Sequence, residues 1–296
     1  MSQYPANGIS IEAETFGDPK HPAIVLIMGL GCQLVVWPVA LCEALAAAGF
    51  HVVRFDNRDI GLSEKIKGER DPQFFKNILR SKLGLRVRAP YKLADMALDT
   101  LGLMDALGIQ RAHIVGLSMG GMIAQTLALD HVDRLLSLTS IMSSSNNPRL
   151  PQASLKVQKR LVRRPKSKER DALIDHGAET WMVLASPHAV PSEAERRMLA
   201  TLSVDRSIYP RGYIHQLLAI LASGSRHKRL PEIKLPTLVI HGEDDPLVPV
   251  AAGYEQAKLI PGAKIEVLKH MGHDLPAPLL PRIATLITKH ANAATA

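Results

Sequence analysis

The stretch that most constrains this 296-residue chain is Gly116-Leu117-Ser118-Met119-Gly120, where the apolar run 112–115 gives way to a helical pattern starting near Met119. A serine flanked by glycines at a strand-to-helix junction has a specific physical meaning: the tight turn strains the serine backbone, and only residues without side-chain bulk fit around it. Such a turn presents the Ser118 hydroxyl at the tip of a sheet. The rest of the chain supplies the sheet. Short apolar runs at Ala23–Ile27, His51–Phe55, 112–115, Leu135–Ile141, 237–241 and Lys264–Leu268 alternate with longer helical patterns, a rhythm that predicts an α/β fold of parallel strands joined by crossover helices.

The helices are bounded by recognisable signals. Pro38 opens one that runs through Ala48, and Gly49 closes it in the usual place past a C-terminus. Residues 93–107 put Leu93, Met96, Ala97, Leu101, Met104 and Leu107 on one face, with Asp95, Asp99 and Asp105 mostly off it, and Gly108 ends the run. After the glycine-flanked serine, residues 119–130 repeat the pattern with Met122, Ile123, Ala124, Leu127 and Ala128. Two segments break the rhythm: a basic insertion with some helical character at 64–90, and residues 143–236, which hold helices but no convincing strand. A helical block inserted there lies over the C-terminal ends of the strands. It is read as a helical cap subdomain, residues 143–236, on a core of residues 1–142 and 237–296.

Charge and cysteine content exclude several classes of function. The chain has 36 basic and 28 acidic residues, a net charge of +8. Much of the excess falls in 156–170, interrupted by Pro165, with no nucleic-acid motif and no series of aromatic residues for stacking. That run reads as a solvated helix face and loop. No nucleic-acid partner is expected, and only a weak attraction to anionic substrates or membrane surfaces is left open. Cys32 and Cys42 form neither a disulfide framework nor a metal-ligand spacing, and read as small buried apolar residues. The N-terminal residues lack a basic segment followed by an apolar one, and no apolar stretch is long enough to span a bilayer, so a soluble cytoplasmic protein without stable membrane insertion is expected.

A serine hydroxyl becomes a useful nucleophile only when a base accepts its proton and a carboxylate fixes that base. Both should follow Ser118, at the ends of later strands. His241-Gly242-Glu243-Asp244-Asp245-Pro246-Leu247-Val248-Pro249 follows one strand, and Lys269-His270-Met271-Gly272-His273 follows the next. Together with Leu26-Ile27-Met28-Gly29, Asp56-Asn57-Arg58-Asp59-Ile60-Gly61-Leu62-Ser63 and residues 116–129, the chain resembles the α/β-hydrolase superfamily, in the branch of aclacinomycin methylesterase-like bacterial esterases.

The resemblance implies an α/β-hydrolase fold, a mostly parallel sheet flanked by helices, with Ser118 as nucleophile on a nucleophile elbow, His273 as base and Asp245 as acid. Asp244, Glu243 and His270 are the neighbours that compete for those roles, and an ordinary helix-capping serine is the alternative for Ser118. It also implies an oxyanion hole from the amides of Met119 and Leu30, with Gly29 as the other candidate because Met28 stands where most relatives have histidine. Gly29, Met28, Met142 and Trp181 are candidates for the substrate pocket; Met119, Met122 and Trp37 lie nearby, and core packing explains such residues equally well. Asp56, Arg58 and Gly61 read as a salt-bridged tight turn.

The function so implied is hydrolysis of small-molecule carboxylic esters through an acyl-enzyme, with no cofactor and no metal, and with a homodimer left open. C–C bond hydrolysis or perhydrolysis by the same triad is the alternative within enzymes. A small-ligand binding module without turnover is the alternative outside them.

Overall fold

Strands with every residue buried, among them β3 (Ala23–Ile27) and β4 (His51–Phe55), run through the interior of the computed structural model, which describes residues 1–66 and 74–295. Strands buried on both faces need helices on both sides, and the chain supplies them. In order the elements are β1 (Ser2–Ala6), β2 (Ile9–Phe16), β3, α1 (Val39–Ala47), β4, α2 (Phe74–Lys82), α3 (Leu93–Ala106), β5 (Ala112–Leu117), α4 (Met119–Asp130) and β6 (Leu135–Ile141). There follow α5 (Leu155–Val162), α6 (Arg170–Leu184), α7 (Glu193–Arg206), α8 (Pro210–Ser223), β7 (Thr237–Gly242), α9 (Ala251–Leu259), β8 (Lys264–Leu268) and α10 (Leu280–Thr295).

The eight strands make one sheet in the order β1-β2-β4-β3-β5-β6-β7-β8. From β4 to β8 every neighbouring pair is parallel, while β1 and β2 add an antiparallel edge. Alternation along the strands divides the core. Ala23, Val25 and Ile27 of β3 pack with residues of α3 and α4 on one face; Ile24 and Leu26 pack with α1 and α10 on the other. The six strands read from the sequence are all present, and β5 and β7 each extend slightly further.

Three details differ from the sequence reading. The β1–β2 hairpin went unread; its turn, Asn7-Gly8, has φ of 49° and 77°, and Ala6 pairs with Ile9 across it. Asp99 is buried rather than off the apolar face of α3, because Arg58 needs a partner there: Arg58 Nε and Nη2 lie 2.5 and 2.6 Å from its two carboxylate oxygens. Cys42 is buried but Cys32 only half-buried, and burial pushes both thiols up to about 12, which leaves them protonated at neutral pH. Within the basic insertion at 64–90, α2 supplies the helical character, and residues 67–73 lie outside the described residues.

Helices α5 to α8 fall between β6 and β7, and buried polar contacts seat them on the ends of the strands. Arg206 of α7 pairs with Asp56 just past β4, and His215 Nδ1 of α8 lies 2.9 Å from Asp59 Oδ2. Arg226 Nε donates to Gln125 Oε1 of α4 at 2.9 Å. The basic run 156–170 is mostly exposed, as a solvated face should be; Arg160 turns inward to Glu179 at 2.6 Å and to Thr180 Oγ1 at 3.1 Å. No helix among the described residues is long and apolar enough to cross a membrane.

One buried histidine gives the fold a pH signature. His113 of β5 holds Ser137 Oγ at 2.9 Å through Nδ1 and sets its ring edge-on to Phe50. Burial, aided by the nearby His290, pushes its pKa down from 6.5 to about 4. The unfolded chain therefore takes up a proton near pH 6.5 that the folded chain refuses until about pH 4, and stability falls as pH drops through that window. Urea unfolding of His113→Gln between pH 7 and 4 should show a shallower decline than wild type; an identical decline would contradict the assignment.

Candidate active site

The Ser118 backbone sits at φ 54° and ψ −117°, a conformation costly for any residue with a side chain, by about 1–3 kcal/mol. Surrounding contacts hold it there. Its N–H donates to the Ile141 carbonyl at 2.9 Å, and its carbonyl accepts from the Ser143 hydroxyl at 2.7 Å and from the Gly121 amide at 3.0 Å. The flanking glycines cannot be anything larger: a Cβ on Gly116 would lie 2.2 Å from the Gly120 carbonyl oxygen, and one on Gly120 would lie 2.0 Å from that of Ile27. β5, α4 and the end of β3 thus meet at this turn, with the serine side chain left outside the packing. The capping alternative gains no support, since the Ser118 side chain makes no cap hydrogen bond to α4.

The structure brings His273 to that side chain across 155 positions of sequence, and Asp245 to His273 across 28. His273 Nε2 lies 3.0 Å from Ser118 Oγ, and His273 Nδ1 lies 2.7 Å from Asp245 Oδ2. Asp245 also accepts from the amides of Leu247 and Val248, both at 2.8 Å to Oδ1, so its carboxylate is fully engaged and its side chain is buried. An ionised Asp245 can only accept, which places a proton on His273 Nδ1 and leaves Nε2 free to accept from the serine hydroxyl.

His241 approaches Asp245 Oδ2 to 3.7 Å but is occupied elsewhere: its Nε2 donates to the Val248 carbonyl at 2.8 Å. Burial pushes the His241 pKa down, keeping the ring neutral. The competitors read from sequence lie outward. Glu243 and Asp244 are exposed, and His270, at φ 63°, sits 3.8 Å from Asp244 on the surface.

The loop after β3 lies against the turn. A Cβ on Gly29 would be 3.2 Å from Ser118 Cβ, so the Met28-Gly29-Leu30-Gly31 loop passes directly beside the serine. Its course is fixed from two sides: the Met28 carbonyl accepts from Asn57 Nδ2 at 2.9 Å, and the Gly31 N–H donates to Gln216 Oε1 of α8 at 2.9 Å. Gln216 in turn donates to the Arg58 carbonyl at 3.0 Å. The Leu30 and Met119 amides donate to no described residue, and Met119 is the first residue of α4, the end at which a helix dipole favours negative charge.

The pocket candidates separate. Met28, Met142 and Trp37 are fully buried in the cluster under α1 and α10, which makes them packing residues rather than walls of an open pocket. Trp181 is half-buried on α6, three residues before Leu184, whose carbonyl accepts from the His273 amide at 2.9 Å. Asp56, Arg58 and Gly61 form a tight turn, but its ion pairs run outward to Arg206 and Asp99 rather than within it, and Gly61 has no room for a Cβ beside the Asp56 carboxylate. Gln216, Ser143, Ser186 and Asp274 all touch this site and were not read from the sequence. Only Ser143, two residues past the end of the β6 run, carried a positional hint.

Comparison with known proteins agrees with this architecture. The sequence profile of the alpha/beta hydrolase fold family matches residues 22–276. The chain is 28% identical to the rhodomycin D methylesterase DnrP of Streptomyces peucetius and 29% identical to the rhodomycin D methylesterase DauP of Streptomyces sp. strain C5, in each case over 97% of this chain and 96% of the relative. Among solved structures, the meta-cleavage product hydrolase CumD of Pseudomonas fluorescens IP01 superposes with a TM-score of 0.78 at 18% identity, over 99% of this chain and 98% of that one, a likeness of fold.

The packing of Gly120 against the Ile27 carbonyl sets a measurable limit. Gly120→Ala forces either the turn or the end of β3 to move, and should cost about 3 kcal/mol in urea unfolding. A loss below about 0.5 kcal/mol, the usual range of a harmless surface change, would show that the contact is not close.

Proposed function

The chain belongs to the alpha/beta hydrolase fold family, and on that premise we propose that it is a serine esterase that hydrolyses small-molecule carboxylic esters through Ser118, His273 and Asp245. The observation that carries the reading is the unbroken chain of hydrogen bonds from Ser118 Oγ to His273 at 3.0 Å and from His273 to Asp245 at 2.7 Å, ending on a serine held in a strained turn.

Ser118 Oγ attacks the ester carbonyl carbon while its proton passes to His273 Nε2. Asp245 stabilises the resulting imidazolium and keeps Nδ1 protonated. Negative charge develops on the former carbonyl oxygen, where the Leu30 and Met119 amides receive it; each such donor is worth about 10²–10³ in rate. The tetrahedral intermediate collapses, the C–O bond to the alcohol breaks, and the alcohol leaves with the proton from Nε2. Water, deprotonated by the same nitrogen, then attacks the acyl-Ser118 ester, and the acid leaves as Ser118 Oγ takes that proton back from Nε2.

Residues 143–236 are proposed to act as a cap over the strand ends, with residues 1–142 and 237–296 as the catalytic core; the seating of α7 and α8 on Asp56, Asp59 and Arg58 supports this division. Methyl esters are the proposed substrate class. Support comes from the similarity to two rhodomycin D methylesterases along nearly the whole chain, cap included.

Ser118→Ala should lower kcat/KM for p-nitrophenyl acetate, and methanol release from aromatic methyl esters, by about 10⁴-fold or more. Wild-type turnover in that variant would overturn the proposal.

A further inference from the structure

The loop that carries His273 is held by the helical insertion as well as by the sheet. The amide of Gly272 donates to Ser186 Oγ at 2.8 Å, and the amide of His273 donates to the Leu184 carbonyl at 2.9 Å. Both acceptors belong to the end of α6 and the turn that leaves it. The contact leaves no slack: a Cβ on Gly272 would lie 2.8 Å from the Ala185 carbonyl carbon and oxygen and from the Leu184 oxygen.

Ser186 is wholly buried, and its orientation is itself fixed. Its hydroxyl donates to Asp274 Oδ1 at 2.5 Å and its amide donates to the same oxygen at 3.1 Å. With the hydroxyl proton committed to Asp274, a lone pair of Oγ is left pointing at the Gly272 amide. Three successive residues of the base loop, Gly272, His273 and Asp274, are therefore each hydrogen-bonded to a three-residue segment of the insertion.

We propose that Ser186 and Asp274 are positioning residues for the base, forming a clasp between the helical insertion and the His273 loop that sets the reach of Nε2 to Ser118 Oγ. The inference rests on the assignment of His273 as the base. Asp245 grips only the far edge of the imidazole, so it fixes the tautomer but leaves the backbone under the ring to be placed by something else. The clasp does that, through the two backbone amides nearest the ring. Arg206 and His215 tie the insertion to the core through the side chains of Asp56 and Asp59. At the clasp the contacts are polar, buried and directed at the main chain of one short loop. Proton transfer demands this precision, since a shift of about 1 Å in a reacting group can cost about 100-fold in rate.

The test compares Ser186→Ala, Asp274→Ala and Asp274→Asn in the full chain, with p-nitrophenyl acetate as substrate and the number of competent sites counted by titration with a fluorophosphonate. Ser186→Ala and Asp274→Ala should each lower kcat per titrated site by about 10- to 100-fold with KM within about twofold of wild type. Asp274→Asn should recover most of that loss, because the amide oxygen still accepts from Ser186. Three results would overturn the proposal: an unchanged kcat per titrated site with fewer sites, which marks a merely structural role; a raised KM at unchanged kcat, which marks a substrate contact; or an Asn variant no better than Ala. Ser118→Ala, run alongside, separates the two readings. If it kept its activity, the assignment of nucleophile and base would fail whatever the clasp variants show.

Discussion

The strained turn at Ser118 depends on a shortage of space. Three backbone segments, the end of β3, the end of β5 and the start of α4, approach one another so closely that Gly116 and Gly120 cannot carry a Cβ. That crowding lets a helix begin within one residue of a strand's end. It also throws the Ser118 side chain clear of the packing, toward the loops at the C-terminal edge of the sheet. The cost of the φ of 54° is small beside the packing of the sheet, and hydrogen bonds from Ser118 to Ile141, Ser143 and Gly121 hold the conformation in place.

Everything that gathers around Ser118 is placed by the same edge. Parallel strands deliver their C-terminal loops to one side of the sheet, so β3 brings the Gly29–Gly31 loop, β7 brings Asp245 and β8 brings His273 without any of them being near the others in sequence. The helical insertion enters at this edge too. Its contacts with the core are made by buried side chains: Gln216 on the Gly31 amide, His215 on Asp59, Arg206 on Asp56, and Ser186 on the loop of His273. In the proposed enzyme, the element that covers the substrate is thereby tied to the element that stabilises the oxyanion and to the element that moves the proton.

The sheet was legible in the sequence because its strands are continuous apolar runs, and because the glycines and prolines that bound the helices act locally. Ser118, Asp245 and His273 were singled out by a glycine-flanked serine at a strand end and by the family resemblance, with Glu243, Asp244 and His270 as local alternatives, and the hydrogen bonds among the three are in keeping with that reading. The β1–β2 hairpin was missed although Asn7-Gly8 between alternating residues announces it; its strands mix polar and apolar residues, as an edge with one solvated face does. Asp99 was misread because helical periodicity assigns faces by hydrophobicity and has no knowledge of the Arg58 guanidinium 41 positions away. Met28 and Met142 looked like pocket residues by proximity to strand ends, and burial turned them into core. The partners Ser186 and Asp274 lie 88 positions apart, in segments whose local pattern says nothing of their meeting.

In the proposed reaction one hydroxyl, Ser118 Oγ, forms the covalent bond to the substrate. Its most direct measurement is the mass of the protein after brief reaction with a slowly deacylating p-nitrophenyl ester, followed by peptide mapping. A single added acyl group, released on prolonged incubation, is expected on the peptide that contains Ser118. An acyl group on any other residue, or full turnover with no acylated protein at any time, would contradict it.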